Sequence, residues 1–194
     1  MWEYIIGGVI CIIIWIVNIK PIIEGFHEHI LSEIYTHLGL GIYFTLLVIN
    51  QTIVGMHTIF DIGWLQTIGF ILFIPSALLV LGAIITLEHK GKSKTSKSPV
   101  FASPQESNIL VDTGLYGIVR HPMLLGMVIW SFALIFVFQS ITSMILGMIA
   151  VFCFGMASKK EDEFNMEKFG ENYKEYMKKV PRWNFWKGLS GLRR

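Results

Sequence analysis

Four stretches of the sequence carry no Asp, Glu, Lys or Arg: between Glu3 and Lys20, Glu33 and Asp61, Asp61 and Glu88, and Arg120 and Lys159. Each is long enough to cross a hydrocarbon core, which takes about 20 apolar residues as an α-helix. The last is too long for a single crossing. At about 1.5 Å per residue it outruns a core of roughly 30 Å, and Gln139-Ser140 near its middle offers a polar turn. The pattern predicts five transmembrane helices, at about residues 2–19, 34–56, 62–87, 122–138 and 141–158. The fold class is therefore an all-α integral membrane protein with a cytoplasmic C-terminal helical segment. Lys20-Pro21 is expected to end the first helix, and Pro75 to kink the third by removing an internal hydrogen bond.

The placement of charge orients these helices. With five spans, all 16 Lys and Arg fall on one side, in Lys20, the 88–121 segment and the 159–194 tail. The positive-inside rule then puts the N-terminus outside and the tail in the cytoplasm, across the plasma membrane in a prokaryote. The first segment carries Glu3 where a signal peptide has a basic region, and shows no small-residue cleavage site before Lys20-Pro21, so it reads as a retained span. Composition agrees: 53% of residues are hydrophobic and 15% charged, against about a quarter charged in soluble domains. The lipid bilayer is the expected partner, and no nucleic acid is.

No metal centre is expected. Cys11 and Cys153 sit inside apolar stretches and read as small buried hydrophobes. His27-Glu28-His29 places its imidazoles two residues apart, on different faces of a helix, without the H-E-x-x-H spacing of a zinc site. It reads as a polar connector.

The chain reads as one membrane domain, 1–194. Residues 1–87 form three structural helices, and 88–107 a flexible, Lys-, Ser- and Pro-rich cytoplasmic loop that contacts headgroups or closes over a site. Residues 108–183 form a cofactor-binding and catalytic region, and 184–194 a basic tail. In that region Phe164, Phe169, Tyr173 and Tyr176 alternate with charges, with Met166 and Met177 adding apolar surface. The pattern predicts a helix leaving the membrane, a break near Gly170, and an amphipathic piece near the surface, ended by Pro181.

The chemistry concentrates where the fourth helix begins. Pro122 suits the first turn of a helix, where its missing N–H costs nothing. Arg120 and His121 then stand beside the positive end of the helix dipole, a place that suits a carboxylate or phosphate. Gly114 and Gly117 let the backbone turn closely, with Tyr116 between them. Arg120 could equally snorkel to headgroups. The fifth helix returns Glu161-Asp162-Glu163 to the same end, where acids at a helix C-terminus are unfavourable without a partner. A salt-bridge lock from Arg120 to Glu161 or Asp162 competes with a cationic ligand as that partner.

The run "LVDTGLYGIVRHPMLLG", then "EDEF", "FGENYKEY" and "VPRW", resembles the isoprenylcysteine carboxyl methyltransferase family of integral membrane enzymes. Its pattern is met by Leu110, Val111, Gly114, Tyr116, Arg120, His121, Pro122, Gly126, Glu161, Asp162, Phe169, Gly170, Tyr173 and Tyr176, over about residues 108–183. Two positions depart: the family tyrosine after R-H-P-x is Leu124, and the arginine four residues before the first glutamate is Ala157. The resemblance implies S-adenosyl-L-methionine as cofactor, bound by Leu110, Val111, Tyr116, His121, Pro122, Met123, Leu124 and Glu161. It implies Arg120 and His121 as catalytic residues, and a lipophilic or lipidated acceptor, a carboxylate in the family. Ala157 leaves the acceptor open. The alternatives are an NADPH-dependent membrane reductase of the sterol reductase type and a non-catalytic membrane scaffold.

Overall fold

The structure, a computed structural model, describes residues 2–52, 58–90 and 109–191. It is all-α over those residues: α1 (Trp2–His27), α2 (Leu31–Thr52), α3 (Gly63–Lys90), a 3-10 turn (Gly114–Gly117), α4 (Pro122–Phe138), α5 (Ile141–Phe169), α6 (Glu171–Lys179) and α7 (Phe185–Gly191). The protein is a multi-pass membrane protein, and α1, α2, α3 and α5 are its helices long and apolar enough to cross a bilayer.

Of the five expected transmembrane helices, four reach that length among the described residues and α4 does not. Pro122 opens this helix and Gln139, in the left-handed region at φ 47, closes it after 17 residues. That length rises about 25 Å, short of a roughly 30 Å core. Its bounds match the sequence expectation, and so does its apolar character. One other boundary moves, at the end of α1, while α5 runs on out of its span to the break expected near Gly170. α1 runs through Pro21 to His27, because one missing N–H costs less than exposing a further turn of backbone in an apolar setting. His29, at φ 57, then turns the chain into α2. α5 continues beyond residue 158 to Phe169, 29 residues in all. Of the loop expected at 88–107, residues 88–90 instead continue α3, and 91–107 lie outside the described residues.

Small residues set the packing. A Cβ on Gly126 would come within 3.0 Å of the Ser76 carbonyl, and one on Gly69 within 2.9 Å of the Ala133 carbonyl, so α3 and α4 approach backbone to backbone. Close approach of this kind is what small residues provide between membrane helices. The Ser76 hydroxyl donates to the Gly126 carbonyl at 2.8 Å. Gly39 of α2 meets the Phe154 ring of α5 in the same way. Leu40, Tyr43, Leu46, Leu124, Phe154 and Ala157 form the core of α2, α4 and α5. α1 packs on α2, tied by Trp15 to Thr45 at 3.0 Å and by His37 with Asn18 at 3.1 Å. Its outer face exposes Ile5, Ile6, Ile12, Ile13 and Ile16, as a lipid-facing helix does.

These contacts run the helices antiparallel and give the bundle two distinct ends. At one end the Gln139 side chain bonds both backbone groups of Ile62, at 3.1 Å each. The Ser140 hydroxyl donates to Asn50 at 2.8 Å, and Ser140 and Ser143 cap α5 reciprocally. The side chains making these bonds are all neutral, and Asp61 beside Ile62 is exposed. The other end holds Arg120, His121, Glu161 and Asp162.

Candidate functional site

The last turns of α5 lift Glu161, Asp162 and Asn165 to the mouth of α4, and all three are buried. Gly170, at φ 56, then reverses the chain, a conformation that glycine adopts without strain. α6 follows as the expected amphipathic piece, and its two tyrosines do not face outward. Tyr173 and Tyr176 are buried against Leu110 and Phe169 instead. After Val180 the chain crosses the start of α4, where the Arg120 N–H donates to the Pro181 carbonyl at 3.0 Å.

Asp162 is the centre of this arrangement. Its Oδ1 accepts from His121 Nε2 at 2.8 Å, Tyr173 OH at 2.7 Å and Arg120 Nε at 3.2 Å. Its Oδ2 accepts from Arg120 Nη2 at 3.0 Å and from Arg182 Nε and Nη2 at 2.8 and 2.7 Å. Arg120 completes its set by donating Nη1 to the Val180 carbonyl at 2.6 Å and the Met177 carbonyl at 3.3 Å. A buried carboxylate facing paired guanidinium groups with full hydrogen bonding is the arrangement in which burying charge is tolerable. Of the two locks the sequence left open, the structure forms the one to Asp162. Arg120 is spent on it, so its guanidinium does not stand open at the helix mouth.

Glu161 is different. Its carboxylate lies 3.3 Å from His121 Nδ1, yet the alignment makes no hydrogen bond, and Nδ1 is left without a hydrogen-bond partner. The Tyr116 hydroxyl, also buried, has none either. Tyr116 and Glu161 line one cleft with Leu87, Leu110, Val111, Asn165 and the two tyrosines of α6. The cleft encloses about 30 Å³, room for a water molecule or two. A groove of about 560 Å³, holding Asp112, Glu175 and Lys179, shares Leu110 and Tyr176 with it. A ligand the size of a nucleoside therefore requires the Leu110 and Tyr176 wall to part.

Burial works against a charged ring at His121, but the Glu161 charge and the Asp162 hydrogen bond outweigh it, and the pKa rises from 6.5 to about 9. The ring is an imidazolium at neutral pH, donating through Nε2 to Asp162 and presenting Nδ1–H towards Glu161. Burial, with the Glu161 charge adding to it, pushes the Tyr116 phenol well above its usual range. It stays protonated and able to donate.

Of the residues singled out from the sequence, Leu110, Val111, Tyr116, Arg120 and Glu161 come together at the cleft, with His121 behind Glu161. Met123 packs against Val111 and Tyr116. Leu124 joins the main core with Ala157, and Pro122 is fully buried at the first turn of α4. Neither is among the residues lining the cleft. Asn165 and Arg182 had no expected role, and Asp162 only that of a partner for Arg120. Three consecutive acids at a helix C-terminus were the signal for Asp162, and the arginine directly after Pro181 the signal for its second partner. Among the described residues, no three His, Cys, Asp or Glu stand close enough to hold a metal ion.

Comparison with known proteins follows the same region. Protein-S-isoprenylcysteine O-methyltransferase of Xenopus laevis is 31% identical over 122 residues, 62% of this chain and 41% of that protein. The protein of that name from Schizosaccharomyces pombe is 29% identical over 125 residues, 63% of this chain and 50% of its own length. Protein-S-isoprenylcysteine O-methyltransferase B of Arabidopsis thaliana is 29% identical over 119 residues, 61% and 58% of the two chains. The chain thus spans 41% to 58% of the length of these distant relatives. No solved structure matches it. The profile of the family described as NnrU protein matches residues 34–189, from the second turn of α2 through α7. The chain belongs to the NnrU protein family.

Proposed function

We propose that this protein is an S-adenosyl-L-methionine-dependent methyltransferase whose acceptor is a lipophilic or lipidated molecule reached from the bilayer. The observation that carries this reading is the pairing of the buried Glu161 carboxylate with the unpartnered Tyr116 hydroxyl in one cleft, beside cations already neutralised by Asp162. Such a cleft favours a ligand that brings positive charge and hydrogen-bonding groups of its own. S-adenosylmethionine brings an ammonium, a sulfonium and ribose hydroxyls, so the donor set fits it. When bound, the cofactor supplies a methyl group activated by the adjacent sulfonium.

In this reading Glu161 takes the ammonium or a ribose hydroxyl, and Tyr116 and Asn165 complete the polar contacts. Leu110, Val111 and Met123 wall the adenine. His121 faces Glu161 from behind the cleft. Methyl transfer is an in-line displacement, so holding the two reactants in line provides much of the rate. The apolar wall excludes water from the reacting atoms. Arg120 serves as the brace that shapes the mouth. The membrane layout of this reading keeps α4 with the four long helices as a fifth span, the N-terminus outside and the site cytoplasmic, in the plasma membrane of a prokaryote. Exposed aromatics support such boundaries: Trp2, Tyr4 and Trp64 at one end, Phe26 and Trp186 at the other.

The reductase reading needs cations for the phosphates of NADPH, whereas Arg120 and Arg182 both face Asp162. The scaffold reading is favoured by that same lock, and differs in requiring no ligand. Calorimetric titration of detergent-purified protein with S-adenosylhomocysteine, and separately with NADPH, decides among the three. Saturable binding of S-adenosylhomocysteine that Glu161→Gln weakens is the expected result. Binding of NADPH alone would replace the reading with the reductase, and a folded protein that binds neither would leave the scaffold.

A further inference from the structure

Glu161 and Asp162 are adjacent, yet Asp162 accepts three donor contacts on each oxygen while Glu161 meets, among the described residues, only the ring of His121. The ring joins the two. Its Nε2 is bonded to Asp162 at 2.8 Å and its Nδ1 faces Glu161 at 3.3 Å. An imidazole bonded at one nitrogen has its rotation fixed, and with it the direction of the other; this is how outer carboxylates orient histidines in metal sites. The side chain of His121 is 1% exposed, so no water competes for the ring.

The groups holding Asp162 come from three separate parts of the chain. Arg120 and His121 precede α4, Asp162 itself lies on α5, Tyr173 on α6, and Arg182 on the segment after it. The side chain of Arg182 is the one part of the cluster open to solvent, at 36% exposure. Arg182 thus reaches the ligand-facing carboxylate through two intermediaries, Asp162 and His121, and is not among the residues lining the cleft.

We propose that Asp162 is a positioning residue: it fixes the His121 ring so that Nδ1 faces Glu161, and Tyr173 and Arg182 fix Asp162 in turn, so that the C-terminal segment completes the site. The proposal rests on the reading of Glu161 as the carboxylate that meets the ligand. The charges facing His121 are Glu161 and Asp162 from α5, Arg120 beside it, and Arg182 from the segment after α6, with the Tyr173 and Tyr116 hydroxyls neutral. Each substitution therefore has a direction of its own. Asp162→Asn removes a negative charge that favours the imidazolium. Arg182→Gln removes a positive charge that competes with it for Asp162, and Tyr173→Phe removes a neutral competitor.

The test is the titration of the His121 ring by NMR of histidine-labelled protein in detergent, with His121→Asn identifying its signal among the six histidines. Asp162→Asn is expected to lower the midpoint by about one unit or more. Arg182→Gln is expected to raise it, and Tyr173→Phe to raise it less. Asp162→Asn should also weaken S-adenosylhomocysteine binding by about tenfold, the order found when residues that orient metal-binding histidines are removed. A role limited to holding the fold lowers melting temperature in all three variants and moves no midpoint in opposite directions. Midpoints that stay at the parent value, or all move the same way, would overturn the proposal. Arg182→Gln and Tyr173→Phe keep the test available if Asp162→Asn does not fold. The NMR readout needs no ligand. Opposed midpoint shifts in a parent protein that binds no S-adenosylhomocysteine would remove the methyltransferase reading and leave the positioning of His121 standing.

Discussion

The two ends of the bundle solve the same problem in different ways. At the end formed by Ile62, Asn50 and Gln139-Ser140, neutral side chains satisfy backbone groups and one another, and each partner is used. At the other end five ionisable side chains converge, four of them buried, and three buried polar atoms, Tyr116 OH, His121 Nδ1 and Trp183 Nε1, make no hydrogen bond among the described residues. A chain that only needed to close its helix ends had the neutral solution available. Charge at the α4 mouth costs desolvation that Asp162 and its partners offset. The Tyr116 hydroxyl lies in the cleft that Glu161 also lines, where a ligand of matching chemistry would use it, and His121 Nδ1 faces Glu161 at 3.3 Å. The difference separates a structural end from a working one.

The comparison is broken most directly at Asp162. Asp162→Ala leaves Arg120 and an imidazolium buried without their carboxylate, and loss of one partner of a buried ion cluster costs about 3–5 kcal/mol. Thermal unfolding in detergent should show a fall of that size. A loss below about 1 kcal/mol, the value of an exposed pair, would mean that solvent reaches the cluster and that the charged end is not a closed site.

The pH dependence of stability probes the same end. The pKa of His121 is raised from 6.5 to about 9 on folding, so the folded state binds its proton more tightly than the unfolded chain. That contribution is fully present below about pH 6.5 and is lost as pH rises through about 9. The melting temperature should fall across this window in the parent and stay level there in His121→Asn. Asn50→Ala is the matching change at the neutral end. It removes the acceptor of the Ser140 hydroxyl, for a loss of about 1 kcal/mol, and should leave S-adenosylhomocysteine binding unchanged. Weakened binding would contradict the division of labour between the ends.

The elements that could be read from the sequence were those set by local chemistry. Pro122 and Gln139-Ser140 mark α4 to the residue, because a proline and a polar turn act over one or two positions. Gly170 breaks the tail where expected. What failed depends on neighbours. Pro21 does not end α1, since the apolar residues beyond it keep the helix going, and the aromatic face of α6 turns onto nearby Phe169 and onto Leu110, which the sequence places about sixty residues away. At the site, the local run from Leu110 to His121 was legible. The division between Asp162 and Glu161 was not: two adjacent acids look alike in sequence, and only the direction of each side chain decides which one meets Arg182 and Tyr173 and which one faces the cleft.

The smallest effect is also the most specific. Tyr116→Phe removes a buried hydroxyl that has no partner and leaves the Tyr116 carbonyl, which accepts from Tyr176 at 2.6 Å. An unsatisfied buried hydroxyl carries a desolvation penalty of about 1–3 kcal/mol, so the substitution should leave the stability of the empty protein unchanged or raise it slightly. If that hydroxyl serves a ligand, affinity for S-adenosylhomocysteine should fall in the same variant. Stability and binding then move in opposite directions, as expected where a polar group is held ready at a cost to the fold. A variant that loses both would show that the hydroxyl has a partner within the folded chain, and the charged end would then hold one open position fewer.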